Sequence, residues 1–598
     1  MPSAGLGVRY TVTPADLHAH LYTVVLDIAQ PCAAGQQLAM PAWLRGSYKI
    51  RDFARHVVDI SARCEDAPVA IERLDKSTLV CAPCAGPLRV TCRVHAHDAS
   101  VRTAFLDATR GFFNTSSLCW RVVGQSAAAC EFVLERPAGS PAGWIAVTTL
   151  PAVAVDAHGF GRYRADDYET LIDHPFALGP QQIVAFEVDG IPHRLALAGR
   201  CTPDVDRLRT DLAAVCAAQR TLFGHAPRLD AYAFLCTVLP GGHGGLEHRS
   251  SAALACARGN LPQPGDPSQT PGYRDFLALV SHEYFHQWNV KRITPQRFAE
   301  SPLQAEAYTQ DLWAYEGVTS YYDDLFLLRS GRVAAATWLD LLAAAATRVE
   351  RTPGRRLQTL ADASFEAWTK HYQPDANAPN ARISYYTKGA LVALCLDLTL
   401  RRDAAVSLDD VMRALWQRHG ATGTPVPERG LERLATEISG LDLAAFFDTA
   451  LRSTQDLPLA PLLADFGVTA KLRVAHAGED RGGRGAGATI RHAAGLRWSR
   501  DGLRVTHVLS GSAAEDAGLA PGDVPVALDG LRVSGRSWQP QLDALHTGAA
   551  VALHYFRGDE LFTTRLEVTP APQDTWAFTL ATACTGQAAV RRKAWLGV

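Results

Sequence analysis

The stretch Leu279-Val-Ser-His-Glu-Tyr-Phe-His-Gln-Trp288 decides how the chain is interpreted. His282 and His286 are four residues apart, so on a helix their imidazoles project from one face, one turn apart. That separation lets two imidazoles share one tetrahedral zinc ion. We expect the helix that carries them to run from about Tyr273 to Val290. Glu283 follows the first histidine, where its carboxylate can reach a water molecule at the metal's open position. The same pattern also arises by chance in helices, so the hypothesis needs a third ligand and a substrate-binding element.

Glu316 is the best candidate for the third ligand. It lies in a second helical segment, 310–328, among apolar and aromatic residues. Four of these neighbours are expected to face the core: Trp313, Val318, Tyr321 and Leu325. Because an isolated buried charge is costly, a carboxylate in such surroundings should be paired or metal-bound. Two imidazoles and one carboxylate leave zinc one open position, at which the pKa of bound water falls to roughly 7.

Two further groups are needed for peptide hydrolysis, and both have candidates. Glu283 is the predicted general base, which takes the proton of the attacking water and passes it to the leaving amine. A tyrosine hydroxyl can share the negative charge that develops on the carbonyl oxygen. Tyr385 and Tyr386, at the start of a long apolar helix, both suit that role.

A helix is predicted from Asp204 to Leu222, with a cap-like Thr-Pro-Asp start and Gly224 as its stop. A buried strand is predicted at 229–239, and a glycine-rich stretch, 240–251, follows it. Glycines let another backbone approach closely, as a peptide substrate does when it pairs with an edge strand. A solvated loop is the alternative interpretation.

Composition limits the remaining possibilities. The 598 residues carry 59 basic and 61 acidic side chains, a net charge of −2, which gives no indication of a nucleic-acid or membrane partner. No secretory signal or run of about 18 apolar residues is visible. The thirteen scattered cysteines predict reduced thiols. We therefore expect a cytoplasmic protein.

The motifs together resemble the glycyl aminopeptidase family, over nearly the whole chain. His282-Glu-Tyr-Phe-His286 is similar to the family's zinc helix, and the resemblance makes Glu316, in Tyr315-Glu-Gly, the third ligand of one Zn²⁺. Gly244-Gly-Leu-Glu-His resembles an exopeptidase motif whose glutamate, here Glu247, holds the substrate α-amine. Tyr386-Thr-Lys-Gly resembles the oxyanion-donor segment, which favours Tyr386 over Tyr385. The stretch 41–55 also resembles a family signature, except that Arg45 stands where proline is expected.

The predicted fold is multidomain α+β. Strand-like patterns indicate an N-terminal β-sandwich domain at 1–190, and the resemblance implies a thermolysin-like catalytic domain, with an α/β lobe carrying the zinc helix at 200–300 and a mainly α-helical lobe at 301–465. A PDZ-like β domain at 485–572 and a C-terminal tail at 573–598 follow. A glycine-rich loop at 478–488 is expected to be flexible.

Other residues receive structural interpretations. We interpret 41–55 as a sandwich corner anchored by Trp43 and Tyr48, and His243 and His248 as positional or solvent-facing. Lys291 and Arg292 suit the C-terminal end of the zinc helix; contact with a substrate carboxylate is the alternative.

The predicted function is therefore a zinc aminopeptidase that binds peptides through Glu247, Gly244 and Gly245. The family name implies a preference for small N-terminal residues such as Gly or Ala. A zinc endopeptidase or a non-catalytic PDZ scaffold remain as alternatives. The PDZ-like domain is expected to bind a peptide C-terminus or extended segment, or only to pack.

Overall fold

The computed structural model describes residues 7–137, 139 and 143–598. The chain divides into two compact units. Unit 1 comprises Met1–Ala307 and Trp416–Pro427, and unit 2 comprises Tyr308–Leu415 and Glu428–Val598. No helix in the described ranges is long and apolar enough to cross a membrane. All thirteen cysteines are free.

Unit 1 begins with a β-rich domain of three sheets. An eight-stranded sheet has the order Ala152–Val155, Gly161–Ala165, Cys130–Leu134, Val8–Asp16, Leu21–Ile28, Leu88–His95, Val57–Cys64 and Ala67–Val69. One four-stranded sheet has the order Ile145–Val147, Phe176–Gly179, Gly111–Phe113 and Ala104–Leu106. A second four-stranded sheet has the order Arg121–Val122, Gln36–Ala39, Thr78–Cys81 and Ile71–Arg73. Burial alternates strictly along strands such as Leu88–His95, because one face of the sheet packs inward.

A five-stranded mixed sheet follows, in the order Gln181–Val188, Ile191–Ala198, Tyr232–Leu239, Ser251–Ala257 and His243–Glu247. Its inner strand Ser251–Ala257 is buried on both faces. The strand Gln181–Val188, which the sequence assigns to the N-terminal domain, belongs to this sheet instead. Asp189 and Gly190, both at positive φ, form the two-residue hairpin that joins it to Ile191–Ala198. The other domain limits remain predictions.

Helices and short turns complete unit 1. The helices are Tyr168–Ile172, Val205–Leu222, Pro271–Phe285 and Gln296–Glu300; the 3-10 turns are Phe53–His56, Thr115–Ser117 and Arg258–Asn260; a π-helical turn spans Trp416–Gly420. The helix predicted from Asp204 begins at Val205, because the Asp204 carboxylate accepts a hydrogen bond from the Arg207 amide and caps it.

Unit 2 is helical in its first part and β-rich in its last. Its α-helices are Val318–Arg329, Ala335–Glu350, Leu360–Phe365, Ala378–Ala381, Thr387–Asp403, Leu408–Leu415, Gly430–Ser439, Ala444–Arg452, Leu459–Ala464, Ala513–Asp516, Gly535–Ala544 and Gly586–Leu596. A 3-10 turn spans Pro353–Arg356, and π-helical turns span Trp313–Gly317 and Ala367–His371.

The strands of unit 2 form three small sheets. Val468–Val474 pairs with Gln573–Leu580, Leu496–Trp498 pairs with Val505–Val508, and a four-stranded sheet has the order Leu531–Arg532, Val524–Leu528, Ala550–Arg557 and Glu560–Glu567. The residues predicted as a tail thus supply a paired strand and a helix whose Trp595 is buried.

The glycine-rich loop at 478–488 is anchored by a buried carboxylate. Asp480 pairs with Arg473 at 2.6 Å and accepts hydrogen bonds from the amides of His476 and Gly482. These bonds hold in place part of the segment that the sequence predicts to be flexible.

A buried ion pair joins three segments of unit 1. The carboxylate of Asp173, which ends the helix Tyr168–Ile172, lies 2.5 Å from the Lys291 ammonium and 3.3 Å from Nδ1 of His248. It also accepts a hydrogen bond from the Arg249 amide. Burial would raise the pKa of Asp173, but Lys291 and His248 hold the pKa of this carboxyl well below its usual range. The carboxyl is therefore ionised at neutral pH.

We expect Asp173→Asn to lower the stability of unit 1 by about 3–5 kcal/mol, because it leaves the Lys291 charge buried without its partner. Urea unfolding followed by circular dichroism measures this loss. Because the folded-state pKa is depressed, the contribution is fully present above the unfolded pKa of about 3.9 and is lost progressively as pH falls from there through the lower folded-state pKa. The difference between wild type and variant should therefore shrink in acid.

The control for this prediction is Asp166→Asn. Asp166 is 89% exposed and lies 3.9 Å from Arg164, so its pairing contributes at most about 1 kcal/mol. Equal urea midpoints for both variants would contradict the role given to Asp173.

Candidate active site

The helix Pro271–Phe285 presents the His-Glu-x-x-His motif. Thr270 caps it by accepting a hydrogen bond from the Tyr273 amide, and Pro271 occupies the first turn, where its missing N–H is no loss. The helix ends at Phe285, not near Val290 as predicted. His286 is its C-cap, and Val290 adopts a φ of 94°, which a helix cannot contain.

The histidine pair keeps its one-turn spacing despite the earlier end. The His286 amide still donates to the His282 carbonyl at 3.3 Å, and the two ring centroids are 4.7 Å apart. Nδ1 of His286 lies 2.8 Å from the carbonyl oxygen of Asn289. Because that oxygen can only accept, Nδ1 carries the proton and Nε2 keeps its lone pair for a metal. The donor chemistry thus fits zinc.

Packing fixes this helix in the core. The Gln219 side chain donates to the carbonyl of Ser281 at 2.8 Å, which ties the helix Val205–Leu222 to it. Tyr284 and Trp288 are fully buried. Trp288 stacks on Phe223 with centroids 4.7 Å apart.

The glycine-rich stretch forms the predicted edge strand, His243–Glu247. A Cβ added to Gly245 would overlap the carboxylate of Glu283, so only glycine fits here. Ligand-type atoms of Glu247, Glu283 and His286 all lie within 4.8 Å of one another. Glu247 and Glu283 are 3% and 5% exposed. Two predicted site carboxylates and one predicted ligand are therefore brought together within unit 1.

The stretch 41–55 does more than form a corner of the β-rich domain. Gly46, at a φ of 103°, lies so close to Glu247 that an added Cβ would overlap its carboxylate. Trp43 donates to the carbonyl of Ala305 at 2.8 Å, and Tyr48 stacks on Phe298. Trp43 and Tyr48 do act as anchors, but the interpretation of this stretch as purely structural was incomplete.

Unit 2 carries Glu316 and the tyrosine motif. Glu316 is 2% exposed and lies in the π-helical turn Trp313–Gly317, a distortion frequent at functional sites. A Cβ on Gly317 would be 2.6 Å from the Cα of Gly389, so these two glycines bring the Glu316 and Tyr386 motifs into backbone contact. The four apolar residues predicted to face the core around Glu316 are all buried.

The two candidate tyrosines differ in access. Tyr385 is fully buried, and burial, together with Tyr372 and the charge of Glu316, raises the pKa of its hydroxyl. Tyr386 is half-buried, and its hydroxyl lies 2.9 Å from that of Tyr372. Burial and Arg382 lower the pKa of the neighbouring His371 to about 4, so this imidazole is neutral at pH 7.

The basic residues after the helix have structural partners. Lys291 pairs with Asp173, and Arg292 donates to the carbonyls of Arg249 and Gln287. His248 hydrogen-bonds to Asp173, in agreement with its positional interpretation.

The sequence reasoning missed three residues near this site. Gly46 could have been found in its signature stretch. Asp173 and Arg102 stand in no motif; Arg102 donates to the carbonyl of Gly245 at 2.9 Å. Only the fold brings Arg102 to the edge strand and Asp173 to the residues that follow it.

Comparison with known proteins gives two family-model matches: the Peptidase M61 N-terminal domain over residues 9–180 and M61 glycyl aminopeptidase over residues 275–392. An M1 zinc metallopeptidase from Deinococcus radiodurans matches 76% of this chain and 96% of its own, but 16% identity and a TM-score of 0.45 are too low to support an argument. Curated protein sequences give no match.

A solved structure is similar to this chain over almost its entire length. It is an aminopeptidase N family protein from Idiomarina loihiensis, 38% identical, with a TM-score of 0.94 over 98% of this chain and 100% of that chain. Because this identity extends over both chains, and the family models fall on the β-rich domain and the HExxH segment, the chain belongs to the M61 glycyl aminopeptidase family.

Proposed function

We propose that the protein is a zinc-dependent aminopeptidase that removes the N-terminal residue of peptides. The observation that carries the proposal is the meeting of Glu247, Glu283 and His286 within 4.8 Å. It supports an amine-binding carboxylate beside a base and a metal ligand. The family name suggests a preference for Gly or Ala.

His282, His286 and Glu316 are the proposed ligands of one zinc ion. The protonated Nδ1 of His286 and the burial of Glu316 support this set. When bound, zinc supplies a Lewis acid that polarises the scissile carbonyl and acidifies water.

Glu283 is the proposed general base. Its carboxylate takes a proton from the attacking water as the new C–O bond forms, and gives it to the amine as the C–N bond breaks. Its contact with Gly245 supports this role, because a substrate paired with the edge strand would pass beside it. Backbone groups of Gly244 and Gly245 would hold that substrate.

Glu247 is the proposed anchor for the substrate α-ammonium. A buried carboxylate pairs strongly with such a cation and fixes which bond meets the base. The Gly46 backbone against Glu247 leaves little room for residues preceding the amine. This observation favours an aminopeptidase over an endopeptidase.

Tyr386 is the proposed donor to the carbonyl oxyanion. Tyr386 is half-buried, whereas Tyr385 is fully buried, and this difference in access supports the choice. The donor strengthens as negative charge develops on the oxygen.

The β-rich module at 485–572 stays a proposed PDZ-like domain. A peptide would bind between the strand Leu496–Trp498 and the helix Gly535–Ala544. Trp498 and Trp538 lie 5.5 Å apart across that space, and the Gly535 amide donates to the carbonyl of Gly502. These contacts narrow the space for a peptide within the module, and packing without a peptide ligand stays the alternative.

The first test measures zinc and activity together. The purified protein should hold one zinc per chain and hydrolyse Gly- or Ala-p-nitroanilide, and a chelator should abolish this hydrolysis. Glu283→Gln should keep its zinc, because Glu283 is not a ligand, and lose about 10²–10⁴-fold in kcat. Glu316→Gln and His286→Ala should lose zinc.

The alternatives give different results. No chelator-sensitive hydrolysis of any aminoacyl anilide would favour the scaffold. Internal cleavage of a blocked peptide would favour an endopeptidase. Loss of zinc from Glu283→Gln and Glu247→Gln would indicate that these carboxylates hold the metal.

The second test concerns the α-amine. Glu247→Ala should lose about 2–3 kcal/mol of transition-state binding, roughly 30–150-fold in kcat/KM, on free-amine substrates. Rates on a free peptide and its N-acetyl form should then converge. A variant that keeps the wild-type preference for the free amine would show that Glu247 is not the anchor.

The third test compares neighbouring tyrosines. Tyr386→Phe should lower kcat about 10²–10³-fold with zinc retained, because it removes a donor to the developing oxyanion. Tyr385→Phe is the matched control and should retain most activity. The reverse order would move the role to Tyr385.

A further inference from the structure

Arg102 lies at the edge strand, at the point that a substrate would reach after the scissile bond. It belongs to the loop between the strands Leu88–His95 and Ala104–Leu106 of the β-rich domain. Its Nη2 donates to the carbonyl of Gly245 at 2.9 Å, and its Nη1 lies 3.6 Å from where a Cβ on Gly244 would stand. The guanidinium therefore covers the strand edge that Gly244 and Gly245 form.

The loop holds Arg102 in place from both sides. The buried side chain of Asn114 donates to the carbonyls of Val101 and Thr103, at 2.9 and 3.3 Å. The Arg102 amide donates to the hydroxyl of Ser100 at 3.3 Å. A side chain on so fixed a backbone keeps much of its position without a ligand.

The charge of Arg102 has unused binding capacity. Within the described ranges, no carboxylate forms an ion pair with its guanidinium, and its Nε is buried without a hydrogen-bond partner. Some half-buried arginines of this chain, such as Arg329 with Asp409, do have a carboxylate partner. A guanidinium presents five donors in a fork that matches a carboxylate. An anionic ligand would supply the carboxylate partner that Arg102 lacks.

The direction of a bound peptide follows from the positions of Glu247, Glu283 and Gly245. If Glu247 binds the α-ammonium and Glu283, packed on Gly245, serves the scissile bond, the peptide runs from Glu247 towards Gly245 and then Gly244. That direction is antiparallel to the strand His243–Glu247. Each residue advances about 3.4 Å along a strand. The group that follows the first residue after the cut thus arrives beside Gly244, where Arg102 lies.

We propose that Arg102 binds the C-terminal carboxylate of a dipeptide substrate and so directs the enzyme towards dipeptides. The inference rests on the proposed function, because it takes the peptide direction from Glu247 and Glu283. In a longer peptide the same position holds a neutral amide, which pairs with a guanidinium less strongly than a carboxylate does.

The test compares Ala-Ala with Ala-Ala-amide, which differ only in the terminal charge. The zinc-loaded wild type should have a kcat/KM about tenfold or more higher for the free carboxylate. Arg102→Met should bring this ratio close to one, mainly through the KM of Ala-Ala. Arg102→Lys keeps the charge without the fork and should give an intermediate ratio.

The matched control is Arg110→Met. Arg110 is half-buried in the same domain and packs over the ring of Phe105, away from Gly244 and Gly245. This variant should keep the wild-type ratio. Because the readout is a ratio, a general loss of folding or zinc in any variant does not imitate the expected result.

Two outcomes would overturn the role of Arg102: a wild-type ratio near one, or an equal loss on both dipeptides in Arg102→Met. Ala-p-nitroanilide, which has no terminal carboxylate, separates this failure from that of the proposed function. Hydrolysis of the anilide with a ratio near one refutes only Arg102. No hydrolysis of the anilide or either dipeptide refutes both.

Discussion

The site in unit 1 depends on two carboxylates held against glycine backbone. Glu283 packs on Gly245 and Glu247 packs on Gly46, and an added Cβ would overlap the carboxylate in both places. Carboxylates lose favourable hydration when they are buried, so each such position needs a compensating partner. The glycines let backbone approach these groups and define where a ligand can reach them. The edge strand, the HExxH helix and the stretch 41–55 all meet at these two carboxylates.

The β-rich domain consequently contributes residues to the candidate site. It supplies Gly46 beside Glu247 and Arg102 at the carbonyl of Gly245. It also supplies Asp173, which pairs with Lys291 and His248. These three contacts surround the strand that carries Glu247. The HExxH helix carries the proposed zinc ligands and the proposed base, whereas the surroundings of Glu247 depend on residues more than 70 positions earlier in the chain.

Sequence reasoning predicted the local features well, because each has a short-range physical signal. The one-turn histidine spacing, the Asp204 cap and the glycine-rich edge strand are examples. The predicted end of the HExxH helix was too late in the chain, because Val290 adopts a positive φ that its side chain does not indicate. Asp173 and Arg102 were beyond reach, since a single charged residue identifies no distant partner. The assignment of strand Gln181–Val188 could have been improved, because Asp189-Gly190 is a hairpin signal.

The pairing of Val468–Val474 with Gln573–Leu580 has a consequence for the module between them. Val474 lies opposite Gln573, so the two ends of the intervening chain leave one small sheet side by side. Neighbouring strands are only about 5 Å apart. The module is thus an insertion whose excision would leave a gap that a short turn can close, without cutting the strand pair. Such an excision would leave unchanged the chain connections of the helices that carry Glu316 and Tyr386.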